Sequence, residues 1–546
     1  MFSLREIPFS YRGSWFGFSP VIAEKTYADE VHLVSHQTGM HAVLRLVVDP
    51  EAALTATPQQ LLWEHGEDRI ELAYENADTV RIRGRGLGLG LMAADPVLTP
   101  FSGPYFYEEP ADGSYVFTLY QTGRRYRITV LRGAAEPVGA QSLGGAERGV
   151  TLSGDWEIAV EEYETARAPY VEADTFEQVV KAARAEFDAF AAAVAPWRDD
   201  ATPAAELAVY VLWSATVRPA GFVTRPGVLM SKHWMDKVWS WDHCFNAIAL
   251  AEGLPDLAWH QFRLPFDHQD GAGALPDSVT HSEILYNFVK PPIHGWALGR
   301  LQWRPEPEET YRRLARWTDF WLTARRVPGH ELAYYQHGND SGWDNATTFD
   351  PERVVETADL AAFLVLQMRE LARTAPGPAE AARWSEAADR MRNALLAELW
   401  TGERFVARGA LTGRTWSSDS LLDLMPVVLG EELPPEVSAV LAGRIERHLT
   451  EFGPATELPS SPHYQDDGYW RGPIWAPSTI LIEDGLRRAG HVALADEISD
   501  RFRRLCERSG FAENFDARTG EGLRDRAYTW TASAYLILAA ARRKRG

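Results

Sequence analysis

Two acidic loops carry the residue types best suited to chemistry. The first, His337–Thr347, reads His-Gly-Asn-Asp-Ser-Gly-Trp-Asp-Asn-Ala-Thr and sets Asp340 and Asp344 on either side of Trp343. The second, Phe511–Asp516, reads Phe-Ala-Glu-Asn-Phe-Asp and carries Glu513, with Phe515 two residues on. Glycine and small residues let such a backbone turn sharply, so a carboxylate can be aimed rather than merely solvated. One carboxylic acid facing one carboxylate is what hydrolysis of a glycosidic bond requires. Trp343 and the helix beneath it should desolvate Asp344 and raise its pKa, as suits a proton donor. The polar neighbours of Glu513 should leave it ionised, as suits a base acting on water; Asp516 is the alternative base. An Asn/Asp/Ser/Gly loop also has calcium-type ligands, but the order of an EF-hand loop is missing.

Other stretches supply flat apolar faces and hydrogen-bonding groups. Trp239-Ser-Trp-Asp242 offers Trp239 and Trp241 to sugar C–H faces and Asp242 to hydroxyls, although Asp242 also stands where a helix cap would. Gln269-Asp-Gly-Ala-Gly is either an ordinary turn or a way of bringing Gln269 or Asp270 to a ligand, and His294, a lone histidine at a helix start, is either structural or a further substrate-binding candidate with Gln269. Tyr469-Trp-Arg-Gly-Pro-Ile-Trp475 is the most distinctive: Arg471 can fork two hydrogen bonds, and Trp470 and Trp475 can flank a sugar unless Trp475 belongs to the core. Trp530 opens the last helix with Tyr528 and Thr529, on the floor of the expected pocket.

Helices must position these loops. Apolar spacing predicts helices at 203–217, 242–252, 256–267, 292–302, 307–326, 353–372, 379–399, 418–428, 434–450, 472–489, 492–508 and 527–544. Twelve helices with alternating short and long connections suggest six hairpins closed into an (α/α)6 toroid. The long loops at 218–241, 268–291, 327–352, 400–417, 451–471 and 509–526 then gather at one end and hold the chemistry. The first 172 residues read differently. Short runs such as Val31–Ser35, Ala42–Val48, Ile70–Tyr74, Thr79–Ile82, Tyr115–Tyr120, Tyr126–Val130 and Trp156–Glu162 suggest an antiparallel β-sandwich. The glycines at 84, 86, 88 and 90 fit strand or turn rather than a dinucleotide fingerprint. The expected organisation is therefore a β-sandwich at 1–172, a linking helix within 173–202, and an all-α catalytic domain at 203–546.

Composition removes several classes. The chain has 546 residues, 45% hydrophobic, with a formal charge of −21, which disfavours a general nucleic-acid binder. Two cysteines are too few for a disulfide framework or a Cys-rich zinc site. The sequence shows neither a signal-peptide pattern nor a membrane-spanning run, so a cytoplasmic location is expected. It also has no Gly-x-Ser-x-Gly, phosphate-binding Gly-x-x-x-x-Gly-Lys-Ser/Thr or His-Glu-x-x-His motif. Twenty tryptophans exceed what a core needs and suit sugar stacking.

Ser341-Gly-Trp-Asp-Asn345 resembles the trehalase signature. Trp239-Ser-Trp-Asp, Tyr469-Trp-Arg-Gly-Pro-Ile-Trp and Phe511-Ala-Glu-Asn-Phe resemble glycoside hydrolase family 63, in the same order, from about 210 to the end. That family includes α-glucosidases and mannosylglycerate or glucosylglycerate hydrolases. The resemblance implies an inverting six-hairpin glycosidase with Asp344 as general acid and Glu513 as general base. It also implies a sugar subsite lined by Trp239, Asp242, Tyr469, Trp470, Arg471 and Trp475. The region after Glu513 lacks the further Trp-Asp of trehalases. The leading expectation is an exo-acting, inverting α-glucosidase on a small glucoside or oligosaccharide end, with trehalase or mannosyl/glucosylglycerate hydrolase as the alternative. Outside that class stand a sugar epimerase, a lyase and a non-catalytic carbohydrate binder. No cofactor is required, no metal ligand set is assigned, and a structural calcium stays open. The expected partner is a small carbohydrate, with no nucleic acid and no membrane; the oligomeric state is undetermined.

Overall fold

The computed structural model describes residues 1–139 and 143–545, which form two compact units. The first comprises Met1–Pro196, Val209–Lys237 and Thr280–Ser282, and the second Trp197–Ala208, Val238–Val279 and Glu283–Gly546. Segment 209–237, expected with the helices, thus packs with the sheets. A buried lysine shows why: Lys232 Nζ donates to Ser10 Oγ and to Ser14 O, both at 2.8 Å.

The first unit is built on two large antiparallel sheets. One has the strand order Phe9–Ser10, Phe16–Ala23, Thr26–Ser35, His41–Val47, Leu89–Ala93, Gly149–Leu152, Ala135–Val138. The other runs Pro104–Glu108, Tyr115–Leu119, Arg125–Arg132, Trp156–Tyr163, Thr79–Arg85, Asp68–Asn76, Leu61–His65, Ala53–Ala56. Alternating side chains of both, such as Leu33, Leu44 and Leu91 with Leu72, Ile82 and Ile158, meet in one core. Gly84 is a strand residue kept small by packing, since a Cβ there would run into the Trp156 ring. Helix α1, Phe176–Val194, starts with a capping box between Thr175 and Gln178 and packs on strand Asp68–Asn76.

Helices follow as α2 Ala205–Ala215, α3 His243–Leu250, α4 Pro255–Asp267, α5 His294–Leu298, α6 Pro307–Ala324, α7 Ala358–Thr374, α8 Pro378–Ala394, α9 Pro435–His448, α10 Ala476–Arg488, α11 Val492–Ser509 and α12 Thr529–Arg545. Each lies within a few residues of its expected position. Two expectations change. The helix expected at 292–302 shrinks to α5, because Pro291 and Pro292 precede it and Gly299 ends it. That expected at 418–428 is a 3₁₀ stretch, Leu421–Glu432, where Pro426 removes a backbone donor and Gly430 turns to φ 58°.

In the second unit α3, α5, α7, the 3₁₀ stretch, α10 and α12 contact one another in that order, and α12 returns to α3. This closes an inner ring of six. Helices α4, α6, α8, α9 and α11 lie outside it, so inner and outer alternate along the chain. Burial follows the layers: Leu421–Gly430 is buried throughout, whereas α11 buries only the stripe Ala495, Ile498, Ser499, Phe502, Leu505 and Cys506. Each long loop feeds the N-terminus of an inner helix, so the chemistry-bearing loops converge at one end of the ring. Among the described residues no helix is long and apolar enough to cross a membrane.

Candidate functional site

The loop before α7 begins with a 3₁₀ turn, Gly338–Ser341, pinned by Ser341 Oγ, which donates to Gly338 O at 2.6 Å and accepts from Trp343 N at 3.1 Å. Gly342 adopts φ 72°, and a Cβ there would approach the Trp241 ring to 2.6 Å. That glycine therefore serves both the turn and the close approach of Trp241. Asp340 is buried and fully engaged. Its Oδ1 accepts from Val289 N at 3.1 Å, and its Oδ2 accepts from Gln336 N at 2.9 Å and Arg325 Nη1 at 2.7 Å. Those bonds brace the loop against Val289, Gln336 and Arg325. Asp344 differs: its Oδ1 is enclosed and has no hydrogen-bond partner.

Glu513 precedes the short hairpin Asn514–Phe515/Gly522–Leu523, and its backbone N–H donates to Asp525 O at 2.7 Å. Its side chain is 2% exposed and Oε2 has no partner. The expected polar setting is therefore not found. Burial raises the Glu513 pKa to about 8, the charges of Asp525 and Asp344 push the same way, and Arg524 opposes them. Asp344 is also raised, first by burial and then by Asp277, against Lys290 and Tyr469. Asp242 forms no side-chain cap on α3; it is buried with Oδ2 unpartnered, and burial raises its pKa to about 8, with Asp344 adding to the shift. Three carboxyls, coupled electrostatically through Asp344, thus each keep an enclosed oxygen free.

Lys290 is the buried cation among them, and the sequence reading missed it. Its Nζ lies 3.2 Å from Asp277 Oδ1, donates to Asn339 O at 2.9 Å and sits 5.3 Å from the Trp239 ring. Burial alone would lower its pKa, but Asp344, Asp277 and Asp242 outweigh that and raise it. The signal was a lysine inside the otherwise apolar run Phe288-Val-Lys-Pro-Pro292.

The aromatics form a connected wall. Trp470 and Trp475 lie parallel at 4.0 Å, with Trp343 4.6 Å from Trp470. Trp530 meets Trp475, Trp241 and Tyr528 edge-on at 5.5, 5.8 and 5.3 Å. Trp470 and Trp475 therefore do not flank a sugar from opposite sides, because a ring between two faces needs about twice that spacing. Trp530 Nε1 and Asn514 Nδ2 are buried donors without partners, an open complement to the free carboxyl oxygens.

Other expected contacts are occupied elsewhere. Arg471 Nε donates to Asn345 O at 2.7 Å and Nη2 to Asp350 Oδ1 at 2.5 Å, so it ties two loops together. Gln269 Nε2 donates to Gly273 O and Arg313 O, both at 2.9 Å, as an ordinary turn would. His294 is a core histidine: Nε2 meets Ser240 O at 2.8 Å, Nδ1 accepts from Trp317 Nε1 at 3.3 Å, and burial lowers its pKa to about 4. Phe515 is fully buried against Phe502. Arg524, also missed, stands 4.8 Å from the Tyr469 ring.

Comparison with known proteins agrees with this architecture. The chain is 26% identical over 417 residues to a mannosylglycerate hydrolase of Rubrobacter radiotolerans, covering 58% of this chain and 92% of that one. It is 21% identical over 386 residues to mannosylglycerate hydrolase MGH1 of Selaginella moellendorffii, covering 55% and 79%. A GH63 mannosylglycerate hydrolase from Thermus thermophilus, solved with Tris, shares the fold at TM-score 0.53 and 21% identity, over 61% of this chain and 99% of that one. A bacterial glucoamylase complexed with acarbose matches at TM-score 0.62 and 11% identity, over 100% and 94%. The model of the mannosylglycerate hydrolase MGH1-like glycoside hydrolase domain matches residues 235–531, which include Asp242, Asp344 and Glu513. The chain belongs to that glycoside hydrolase family.

Proposed function

We propose that this protein is an inverting α-glycosidase that hydrolyses mannosylglycerate or glucosylglycerate. The observation that carries the reading is the set of enclosed, unpartnered oxygens on Asp344, Glu513 and Asp242, brought from three separate loops within the matched region. Asp344 donates a proton to the glycosidic oxygen as the bond from the anomeric carbon breaks. Glu513 takes a proton from a water whose oxygen bonds to that carbon on the opposite face. Asp242 accepts hydrogen bonds from sugar hydroxyls, and the tryptophan wall packs on C–H faces. The acid must be protonated and the base ionised in the productive state, and burial supplies the first condition for Asp344.

The named activities of the relatives favour a glycerate aglycone over the neutral α-glucoside that the sequence first suggested. The test is sugar release from mannosylglycerate, glucosylglycerate, trehalose, kojibiose, nigerose, maltose, isomaltose and sucrose. NMR of the first-formed anomer follows on the best substrate. Release confined to the glycerate glycosides, with the β anomer appearing first, is expected. Release only from neutral disaccharides would replace the substrate, and an α anomer first would replace the inverting mechanism.

A further inference from the structure

An anionic aglycone entering a site with this many carboxyls needs a cation, and two arginines and a lysine stand near. Arg471 is engaged by Asn345 O and Asp350, as described above. Lys290 is held by Asp277 and Asn339 O. Arg524 is different. Its Nη1 donates to Asn514 Oδ1 at 3.1 Å and reaches Asp467 Oδ1 at 2.6 Å, while Nε and Nη2 make no bond to any described residue. The guanidinium lies over Tyr469, whose phenol responds to the charges of both Glu513 and Asp344.

The backbone adds a second observation. Among the described residues only Lys25, Tyr469 and Arg524 are non-glycine residues with positive φ, at 58°, 64° and 61°. Two of the three therefore touch each other beside the carboxyls, one on the loop before α10 and one on the loop before α12. Left-handed backbone at a side chain is strained and persists only where the surroundings enforce it. Asp467, the partner of Arg524, is 67% exposed in its side chain, and an exposed pair of this kind contributes little and exchanges readily.

We propose that Arg524, aimed by its stack on Tyr469 and its bond to Asn514, determines specificity by receiving the carboxylate of the aglycone on its free Nε–Nη2 edge, with Asp467 as its partner in the empty site. The inference rests on the glycerate reading above. A planar guanidinium edge matches both oxygens of a carboxylate, which a lysine cannot do. A neutral aglycone gains nothing from it.

The test compares kcat/KM for the glycerate glycoside and for its uncharged glyceramide counterpart in wild type, Arg524→Gln, Arg524→Lys and Asp467→Asn. Wild type should prefer the acid. Arg524→Gln should lower kcat/KM on the acid by roughly 10- to 100-fold through KM, leave the amide nearly unchanged and bring the ratio close to one. Arg524→Lys should recover only part of the preference, and Asp467→Asn should increase it. Turnover of the amide and the melting temperature show that each variant is folded. Equal losses on both substrates, or an unchanged ratio in Arg524→Gln, would overturn the assignment. Calorimetric titration of D-glycerate into wild type and Arg524→Gln gives an independent reading: heat that persists in the variant overturns it. A wild type that cleaves only neutral disaccharides and does not bind D-glycerate removes the glycerate reading itself. One that binds D-glycerate through Arg524 but cleaves neither glycoside keeps the assignment and replaces only the substrate sugar.

Discussion

Both units bury charge, and they do so in opposite ways. In the sheet unit Arg127, 4% exposed, donates from Nε to Glu161 at 2.8 Å, from Nη1 to Arg167 O at 3.2 Å and from Nη2 to Ala168 O at 2.6 Å, and Arg167 adds a second cation 3.0 Å from Glu161. Opposite charges and carbonyls there satisfy one another. In the helical unit Asp242, Asp344 and Glu513 are brought close with oxygens left open. The first arrangement holds strands in register. The second keeps carboxyls desolvated and unsatisfied, which costs stability and leaves them ready for a ligand.

The largest expected effect breaks the second arrangement. Asp344→Asn and Glu513→Gln should each lower kcat on the true glycoside by ~10²–10⁴-fold while ligand affinity, measured by calorimetry, changes little. With an activated glycosyl fluoride, whose leaving group needs little protonation, Asp344→Asn should recover much of the loss and Glu513→Gln should not. Equal recovery would remove the acid and base assignment.

Stability should then move in opposite directions in the two units. Arg127→Met leaves Glu161 with weaker compensation and should destabilise by about 3 kcal/mol, read from chemical denaturation. Glu513→Gln should be neutral or stabilising. A comparable loss from both would show that the site carboxyls are structural.

The sign of the pH dependence sharpens the same contrast. The folded-state pKa values of Glu513 and Asp242 are raised to about 8 from the ordinary carboxylate value. From roughly pH 4 to 8 the folded state therefore holds protons that the unfolded state has released, and stability falls as pH rises through that window. Glu513→Gln should raise the melting temperature at pH 8 by more than at pH 5; the reverse order would contradict the burial of Glu513. The smallest effect belongs to Arg471→Gln. Its partially exposed guanidinium is already held between loops by Asn345 O and Asp350, so kcat/KM should stay within about tenfold of wild type.

Much of the site was legible one residue at a time. Asp344 and Asp242 are buried at the loop positions that their flanking tryptophans suggest, whereas His294, counted among the sugar-contact candidates, sits in the core between Ser240 O and Trp317. Partnerships were not legible. Arg471 has the right chemistry for sugar recognition, yet Asn345 O and Asp350 occupy it. Trp470 and Trp475 are five positions apart around a Gly-Pro turn, and only folding decides that their faces meet each other. Glu513 looks polar in sequence because Asn514 and Asp516 flank it, but its own side chain turns inward.

What the sequence determined by itself is local: strand alternation before about residue 170, helical spacing after it, the alternation of short and long connections, and the acidic loops. Those follow from backbone geometry and apolar periodicity, which act over a few residues. Only the tertiary structure decided which carboxyls keep an open oxygen, that Lys290 and Arg524 stand among them, and which arginine has free donors. These depend on desolvation and pairing between residues far apart in the chain, and no local pattern records them.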